Sequence, residues 1–252
     1  MTPPQTEISL NESASIAARD PALKLSLGQR LLMVAAGYVP FVNLVVIVTL
    51  MVLPATARWP RWTWCLAPAW LFIVPPLAVR IILMIRPLPS SDIAIGSTPF
   101  LTWWLTSQWQ VIFNRLPWIE EVIRLVPGLY VVWLRLWGAR VGKLVYWTPG
   151  LRILDRSLIE IGDRVVFGVG VQIVPHIIMP NKDGQLVLRV APVRIGSEAL
   201  VGGYSLLLAG SWIGPGEASP GKRELRPFTG WVGGRRVDLK DERASLSTEA
   251  NA

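Results

Sequence analysis

The chain begins with a polar segment and then becomes strongly apolar. Residues 1–26 mix Pro, Thr, Glu, Asn and Ser without periodicity and lack the layout of a signal peptide, which predicts a disordered cytosolic arm. Leu31 to Leu53 runs for 23 residues without a charge, and Trp62 to Ile85 forms a second apolar run broken only by Arg80. Each run is long enough to cross a hydrocarbon core of roughly 30 Å as a helix. We therefore predict a transmembrane helical hairpin over residues 27–98.

Two alternatives to a spanning pair stay open. The first is two buried helices in a soluble core, although such helices rarely stay uncharged over this length. The second is a re-entrant pair, because prolines can kink membrane helices; these are Pro40, Pro68, Pro75 and Pro76. Positive charges flank both ends of the hairpin and therefore bias its orientation only weakly; they are Lys24, Arg30, Arg58, Arg61 and Arg86.

Residues 99–140 change to helical spacing, with tryptophans interleaved with arginines. Pro117 and Pro127 divide this stretch into about three short helices. Such a mixture is typical of helices that lie in the membrane interface, with indoles in the headgroup layer and guanidinium groups on phosphates. The alternative is that the indoles only pack the membrane helices against the next domain. They are Trp103, Trp104, Trp109, Trp118, Trp133 and Trp137.

From residue 141 to 217 aliphatic or aromatic residues recur every six positions, often followed by glycine. Three runs carry this period: Val141, Trp147, Ile153; then, after a slip of two, Ile161, Phe167, Ile173; then Ile195, Val201, Leu207, Ile213. A hexapeptide period predicts a parallel β-helix in which three faces close one coil. The apolar residue fills the interior, and the small residue after it lets the chain turn a corner without a clash. The fold class we predict is thus mixed: two transmembrane helices, interfacial amphipathic helices and a short β-helix.

Composition agrees with a membrane protein. Of the 252 residues, 52% are hydrophobic and only 17% charged, which is too apolar for a typical soluble domain. The formal charge of +8 points first to an anionic membrane surface and only second to nucleic acid. Single-stranded nucleic acid would also accept aromatics among arginines, but directly after two membrane runs we do not expect it as a partner. One cysteine and one histidine exclude an intrachain disulfide and any multi-histidine metal cluster, so no metal is expected.

The runs IGDRVVFGVGVQIV and IGSEALVGGYSLLLAGSWIGPG resemble the left-handed β-helix of the hexapeptide-repeat acyltransferase family. The upstream text FNRLPWIEEVIRLVPGLYVVWLRLWGARVG, followed by YWTPGLRILDRSLIEIGD, is similar to a membrane-attached bacterial subgroup of that family. The resemblance implies transfer of an acetyl or longer acyl group from acyl-CoA or acyl carrier protein to a hydroxyl or amine. It also implies a homotrimer with sites between subunits, and no permanently bound cofactor.

His176 is the candidate general base, because imidazole is the only side chain whose ordinary pKa suits that role near neutral pH. It lies just before residues 179–192, which break the hexad register, and the family tends to keep its catalytic histidine beside such an excursion. An imidazole at the surface, or one in the core bound to a carbonyl, is the competing interpretation.

Counting coils of eighteen residues places Asp155 and Arg156 above His176, with Gly210 and Ser211 below it. Asp155 is then a candidate to orient the imidazole, or else a surface turn residue. A backbone N–H of Gly210 or Ser211, from this chain or a neighbouring subunit, is a candidate oxyanion donor.

Donor binding has two candidate segments. Gly202, Gly203 and Tyr204 interrupt the coil with small residues that would let a pantetheine arm lie against the backbone, unless they are plain corner residues. Residues 218–252 are predicted to be a basic extension with a disordered tail. Its cationic cluster would contact donor phosphates or anionic lipid, or form a solvated face; it contains Lys222, Arg223, Arg226, Arg235 and Arg236.

The leading hypothesis is a membrane-anchored acyltransferase on the cytosolic face of the bacterial inner membrane, where acyl-CoA and acyl carrier protein are supplied. Its acceptor would be lipid-linked, a saccharide or a natural product. The rival is a non-catalytic β-helix scaffold or accessory subunit that docks into a larger membrane complex through the tryptophan-rich segment. A carrier or channel has little support, because the two runs contain no interior ionisable pair.

Overall fold

A computed structural model describes residues 25–56 and 59–239. Most of the predicted N-terminal arm, Arg58 in the hairpin loop, and the tail from residue 240 lie outside the described residues. Helices occupy the first half of the described chain, and short strands occupy the second half.

The first predicted span consists of two consecutive helices, α1 (Leu27–Gly37) and α2 (Val39–Thr56). A 3-10 turn at Arg61–Cys65 leads into α3 (Leu66–Ile85), the second predicted span. By length and composition, the stretches Leu27–Pro54 and Arg61–Ile85 could each cross a membrane. In the most apolar 18 residues of the two stretches, only 11% and 17% of the residues are buried within the protein. Most of this apolar surface therefore faces outward.

Side-chain hydrogen bonds tie these helices to each other and to the next segment. The indole N–H of Trp70 on α3 donates to the Asn43 side chain on α2 at 3.0 Å. The indole N–H of Trp104 donates to the carbonyl of Met33 on α1 at 3.2 Å, and that of Trp133 donates to the carbonyl of Phe72 on α3 at 3.0 Å. The tryptophan-rich segment is therefore packed against the apolar helices.

Three helices follow, as the spacing and prolines predicted: α4 (Thr98–Arg115), α5 (Trp118–Arg124) and α6 (Leu129–Leu136). The six indoles differ in burial. Trp103, Trp133 and Trp137 are buried in the core, and Trp118 alone among the predicted interfacial tryptophans is strongly exposed, at 62%. For the three buried indoles the structure agrees with the packing alternative, because their large rings are removed from solvent between the helices and the strands.

The hexad positions form three parallel sheets that the chain visits in a fixed order. The Ile161 sheet contains β2 (Arg140–Val141), β4 (Ile159–Ile161), β9 (Val193–Ile195), β12 (Trp212–Ile213) and β15 (Thr229–Val232) in parallel, with β16 (Arg235–Asp238) antiparallel at its edge. The Phe167 sheet contains β5 (Val166–Phe167), β10 (Leu200–Val201) and β13 (Ala218–Ser219). The Ile173 sheet contains β3 (Arg152–Ile153), β6 (Gln172–Val174), β11 (Leu206–Leu208) and β14 (Glu224–Leu225). The three sheets are separate and open, and the predicted hexad residues point into the core between them.

Glycines after the hexad residues allow successive coils to stack closely. A Cβ on Gly162 would lie 2.4 Å from the backbone nitrogen of Ser197, and a Cβ on Gly196 would lie 2.4 Å from that of Pro215. Because no side-chain carbon fits at such distances, these positions require glycine for close backbone approach.

Parallel pairing continues beyond residue 217, where we placed the end of the repeat. Ala218–Ser219 pairs with Leu200–Val201, and Leu225 continues the Ile173 sheet. The period of six persists through Ser219, Leu225 and Trp231, which are all buried. The polar Ser219 and the cationic residues between these positions concealed the repeat in the sequence.

The predicted excursion is an antiparallel hairpin of β7 (His176–Pro180) and β8 (Leu186–Val190). Its turn is built on Asn181, whose side-chain oxygen accepts from the backbone N–H groups of Asp183 and Gln185. A third strand, β1 (Ser91–Ala94), comes from the linker after α3 and pairs with β8. Arg189 joins β8 to β1 by a two-pronged ion pair with Asp92, with contacts of 2.5 and 2.6 Å. The segment 27–98 therefore contributes a strand to the region around His176 as well as the apolar helices.

Candidate active site

The candidate site lies at the corner where the chain leaves the Ile173 sheet. Asp155 follows β3 and His176 opens β7 just after β6, and β3 pairs with β6 so that Ile153 lies beside Ile173. The same sheet register places Leu207 beside Ile173, so that the Gly210 turn follows at the same corner one coil further on. The coil counting from the sequence therefore brings these segments together as expected.

Asp155 and His176 form a direct pair. The imidazole Nδ1 is hydrogen-bonded to a carboxylate oxygen of Asp155. Asp155 is almost fully buried, with 3% of its side chain exposed, whereas His176 keeps 23% exposed. Among the described residues no group is hydrogen-bonded to the other ring nitrogen, Nε2. A carboxylate on Nδ1 fixes the orientation of the ring and leaves Nε2 as the proton acceptor.

The environment of His176 favours its charged form. Burial is the largest influence and lowers the pKa of His176, but the charge of Asp155 and its hydrogen bond together outweigh burial, so the pKa lies above its ordinary value. The neutral imidazole, which is the form that can accept a proton, therefore becomes more populated as pH rises through this raised pKa.

Trp103 on α4 covers the imidazole. The two ring centroids are 4.8 Å apart with an interplanar angle of 57°. Trp103 is 6% exposed, and its indole N–H is buried without a hydrogen-bond partner among the described residues. An unpaired buried donor costs free energy, and the indole N–H groups of Trp137 and Trp231 are buried without a partner in the same way. The sequence predicts that Trp103 lies in the membrane interface or packs the membrane helices against the next domain, and a tryptophan gives no sequence signal for a contact with His176.

The backbone N–H groups of Gly210 and Ser211, the predicted oxyanion donors, both have hydrogen-bond partners within the chain. The N–H of Gly210 donates to the carbonyl of Ala191 at 3.2 Å, and that of Ser211 donates to the carbonyl of Leu208 at 3.0 Å. The Ser211 bond closes the turn itself, whereas the Gly210 bond ties the turn to the segment between β8 and β9. Gly210 is required there, since its φ is +71° and a Cβ would lie 2.5 Å from the Phe228 ring. The Ser211 hydroxyl, in contrast, is buried without a partner among the described residues.

A different corner contains Gly202, Gly203 and Tyr204. It comes before β11, whereas the Gly210 turn comes after β11. The N–H of Gly202 donates to the Ser219 hydroxyl, and the N–H of Tyr204 donates to the carbonyl of Val169. A Cβ on Gly202 would lie 2.3 Å from Gly221, so this glycine serves coil stacking. Within one chain these residues are not beside His176.

The cationic cluster borders an open cavity of about 400 Å³ at the last coil. Lys222, Arg223, Arg226 and Arg236 line it together with Trp231. The N–H of Lys222 donates to the carbonyl of Gly203 at 2.8 Å, so the cluster adjoins the Gly202–Tyr204 corner. The two segments predicted for donor binding are therefore neighbours in space.

A buried polar network that the sequence did not predict lies next to the Asp155–His176 pair. Arg156, next to Asp155, is fully buried and its guanidinium binds the Glu120 carboxylate on α5. It also donates to the Gln110 and Asn114 side chains on α4, at 3.2 and 2.9 Å. The Tyr130 hydroxyl of α6 donates to Glu120, and burial raises the pKa of Tyr130.

Arg124 completes this network through Glu120, Glu121 and Tyr130. The one sequence signal for it was the helical spacing of Glu120 and Glu121 to Arg124. The network joins all three helices to the strand that carries Asp155. Within the described residues there is no group of three or more His, Cys, Asp or Glu side chains that could hold a metal ion.

Comparisons with known proteins give only distant likenesses. No protein-family model matches the chain, and no curated protein matches it either. Among solved structures, a hexapeptide-repeat-containing acetyltransferase from Vibrio cholerae is similar with a TM-score of 0.34 at 15% identity, over 52% of this chain and 93% of that chain. A maltose O-acetyltransferase from Clostridium difficile 630 gives a TM-score of 0.28 at 19% identity, over 51% and 87%. A galactoside acetyltransferase in complex with coenzyme A gives 0.28 at 13% identity, over 54% and 85%. At these scores we base no conclusion about this chain on the likenesses.

Proposed function

We propose that the protein is a membrane-anchored acyltransferase that uses His176 as its general base. The observation that carries this proposal is the Asp155–His176 pair, which is held at an open corner with Nε2 unpaired among the described residues. Acylation of a hydroxyl or amine requires a general base, an oxyanion donor and a site that holds the two substrates in line.

The proposed reaction transfers the acyl group directly between substrates. Nε2 of His176 takes the proton of the acceptor hydroxyl or amine as the acceptor heteroatom bonds to the thioester carbonyl carbon. The carbon–sulfur bond of the tetrahedral intermediate then breaks, and the imidazolium returns the proton to the departing thiolate. Asp155 stabilises the imidazolium between the two steps. The oxyanion donor we propose is the Trp103 indole N–H, because its ring contacts His176 and the N–H has no partner among the described residues. Since this N–H is buried, the thioester reaches it only if substrate entry displaces part of its cover.

The donor we infer is acyl-CoA or an acyl carrier protein. Both carry pantetheine and phosphate, and the Gly202–Tyr204 corner adjoins the Lys222, Arg223 and Arg226 cluster. Cationic side chains around an open cavity suit phosphate oxygens, and anionic lipid headgroups would use the same chemistry. Since this corner and His176 lie apart within one chain, the proposal includes a homotrimer in which neighbouring subunits complete the site.

We further propose that the three parallel sheets are the faces of a left-handed β-helix and that the α1–α3 hairpin anchors it to the bacterial inner membrane. The exposed apolar surface of these helices supports anchoring, since exposed apolar patches on this scale mark lipid or protein contacts. Cytosolic supply of thioester donors favours the cytosolic side for the catalytic domain. The acceptor class is a lipid-linked molecule, a saccharide or a natural product.

Purified full-length protein incubated with labelled acetyl-CoA, or acyl carrier protein, and a membrane extract tests the proposal. The parent should release thiol and label an extractable product, and His176→Ala should lower the rate by roughly 10²- to 10⁴-fold. Lys182→Ala, on the exposed turn of the same hairpin, is the matched control and should react like the parent. Equal transfer by His176→Ala would refute the mechanism. Absence of thioester cleavage with every donor, together with a stoichiometric co-purifying protein, would support the scaffold alternative instead.

A further inference from the structure

A second cavity lies on the side of α4 that faces away from His176. Its volume is about 330 Å³, at the lower end of the roughly 300–1,000 Å³ typical of small-molecule sites. Three helices form it: the middle of α1, the end of α3 and the beginning of α4. Its apolar lining includes Leu32, Ala36, Ile82, Ile85, Leu101 and Leu105.

Polar groups in the cavity wall are paired within the protein. The Thr102 hydroxyl donates to the carbonyl of Thr98 at 3.0 Å, and the Trp104 indole N–H donates to the carbonyl of Met33 at 3.2 Å. Arg86, at the end of α3, is the charged member of the lining. It is exposed and has no hydrogen-bond or ion-pair partner among the residues that the structure describes.

This arrangement matches one kind of molecule. An apolar slot accepts an aliphatic chain, and a free guanidinium at its edge accepts a phosphate through charge-assisted hydrogen bonds. The slot lies where the two apolar stretches meet the rest of the protein, which is the depth of lipid headgroups if the hairpin inserts into a bilayer.

The acyl donor fits this slot less well. Trp103 contacts His176 from one face of α4, whereas its neighbours Leu101 and Leu105 line the cavity from the other. A helix with its side chains is about 10–12 Å across. A thioester whose chain occupied this cavity would therefore have its carbonyl separated from Nε2 by the body of α4.

We propose that this cavity binds the aliphatic chain of an anionic bilayer phospholipid, with the lipid phosphate on Arg86. The bound lipid fixes α4, and with it the indole over His176, against the membrane hairpin. This inference rests on the membrane placement in the proposed function but not on acyl transfer.

Photo-labelling of the full-length protein tests the site. The probe is phosphatidylglycerol that carries a diazirine on one acyl chain, titrated at low mole fraction into detergent micelles, and the labelled peptides are identified by mass spectrometry. We expect saturable labelling of the α3 end and the α4 beginning. Ile82→Trp fills the cavity and should reduce that labelling at least fivefold. Ile81→Trp, on the outward-facing side of the same helix, should leave it unchanged.

Arg86→Gln tests the headgroup contact. Because Arg86 is exposed, the substitution should not destabilise the fold. It should raise the half-saturating concentration of phosphatidylglycerol about fivefold or more and leave that of a matched phosphatidylcholine probe unchanged. Non-saturable labelling, equal labelling of the two Trp variants, or displacement of the probe by palmitoyl-CoA at stoichiometric concentration would overturn the lipid site. Thiol release from acetyl-CoA and from acyl carrier protein is measured in parallel. Saturable labelling without release from any donor refutes acyl transfer but not the lipid site, and release without saturable labelling refutes only the lipid site.

Discussion

At the scale of single residues, the proposed acyl transfer depends on the His176 imidazole and the groups that contact it. Asp155 holds Nδ1, Trp103 covers the ring, and Nε2 stays available among the described residues. Because Asp155, Trp103 and His176 each have a separate physical effect on the proposed reaction, substitutions can distinguish their roles.

Asp155→Asn should change the pH dependence of the reaction. The base acts as the neutral imidazole, so kcat/KM should rise with pH through the raised pKa of His176. Removing the Asp155 charge destabilises the imidazolium, so the inflection should move to lower pH while the plateau falls about tenfold or more. The measurement is kcat/KM across pH for the parent and the variant. An unchanged inflection would show that Asp155 does not act on the imidazole.

The same pair has a predictable effect on stability. A histidine whose pKa is raised by folding stabilises the protein fully below its unfolded pKa of about 6.5, and the contribution is lost as pH rises through the folded pKa. The Tm difference between the parent and Asp155→Asn should accordingly be larger at pH 5.5 than well above the folded pKa. This comparison serves as a control that does not depend on activity.

Trp103→Phe should separate the indole N–H from the ring. Phenylalanine keeps an aromatic cover over His176 but removes the donor, and loss of one oxyanion donor typically costs about 10²- to 10³-fold in kcat. We expect a fall in kcat with little change in KM for the acyl donor. If kcat is retained, the buried N–H has no role in the transition state and the oxyanion donor must come from elsewhere.

At the scale of elements, the helices and strands are joined through buried polar contacts as well as apolar packing. Glu120 on α5 and Arg156 beside β3 have 4% and 1% of their side chains exposed. The Glu120–Arg156 pair therefore fixes the strand that carries Asp155 against the helices. Corner glycines such as Gly162 do the same between coils by allowing backbone contact.

Glu120→Gln should be strongly destabilising, because it leaves the buried Arg156 guanidinium without a compensating charge. Breaking a buried pair from one side costs about 3–5 kcal/mol, which corresponds to a Tm lower by on the order of 10 °C. Glu198→Gln is the matched control: its pair with Arg164 is exposed, at 58% and 57%, so no measurable change is expected. A similar Tm for both variants would mean that the Glu120 network does not support the fold.

At the scale of the whole molecule, the apolar helices pack on one side of α4 and the candidate site lies on its other side. Hairpin insertion would place the 3-10 turn at Arg61–Cys65 on the far side of the bilayer from His176. Three exposed indoles surround that turn, which is typical of a membrane interface; they are Trp59, Trp62 and Trp64.

Cys65 allows this topology to be measured, because it is the single cysteine of the chain and is exposed. If the hairpin spans the inner membrane with the strands in the cytosol, a membrane-impermeant maleimide should label Cys65 once the outer membrane is made permeable. A control variant, Cys65→Ser with Arg140→Cys, carries its thiol at a strongly exposed position on the strand domain and should react only after lysis. Labelling of both thiols only after lysis would instead place the loop on the same side as the strands, as in a re-entrant hairpin or one that does not enter the membrane.

The sequence by itself determined the elements that depend on local periodicity. The uncharged runs predicted the apolar helices, the prolines divided 99–140 into three helices, and the hexads predicted the residues that point inward. Coil counting placed Asp155 near His176, because a fixed period converts separation along the chain into position on a face. The repeat was missed beyond residue 217, where Ser219 and several cations obscured the pattern.

Features that depend on contacts between distant segments are visible only in the tertiary structure. It placed Trp103 on His176, buried three of the six predicted interfacial indoles, and paired Glu120 with Arg156. It also showed that the N–H groups of Gly210 and Ser211 already donate to the carbonyls of Ala191 and Leu208, which no spacing reveals. The physical reason is that burial and hydrogen-bond partnership are properties of packing, and the same indole, guanidinium or amide has a different role according to what the fold brings against it.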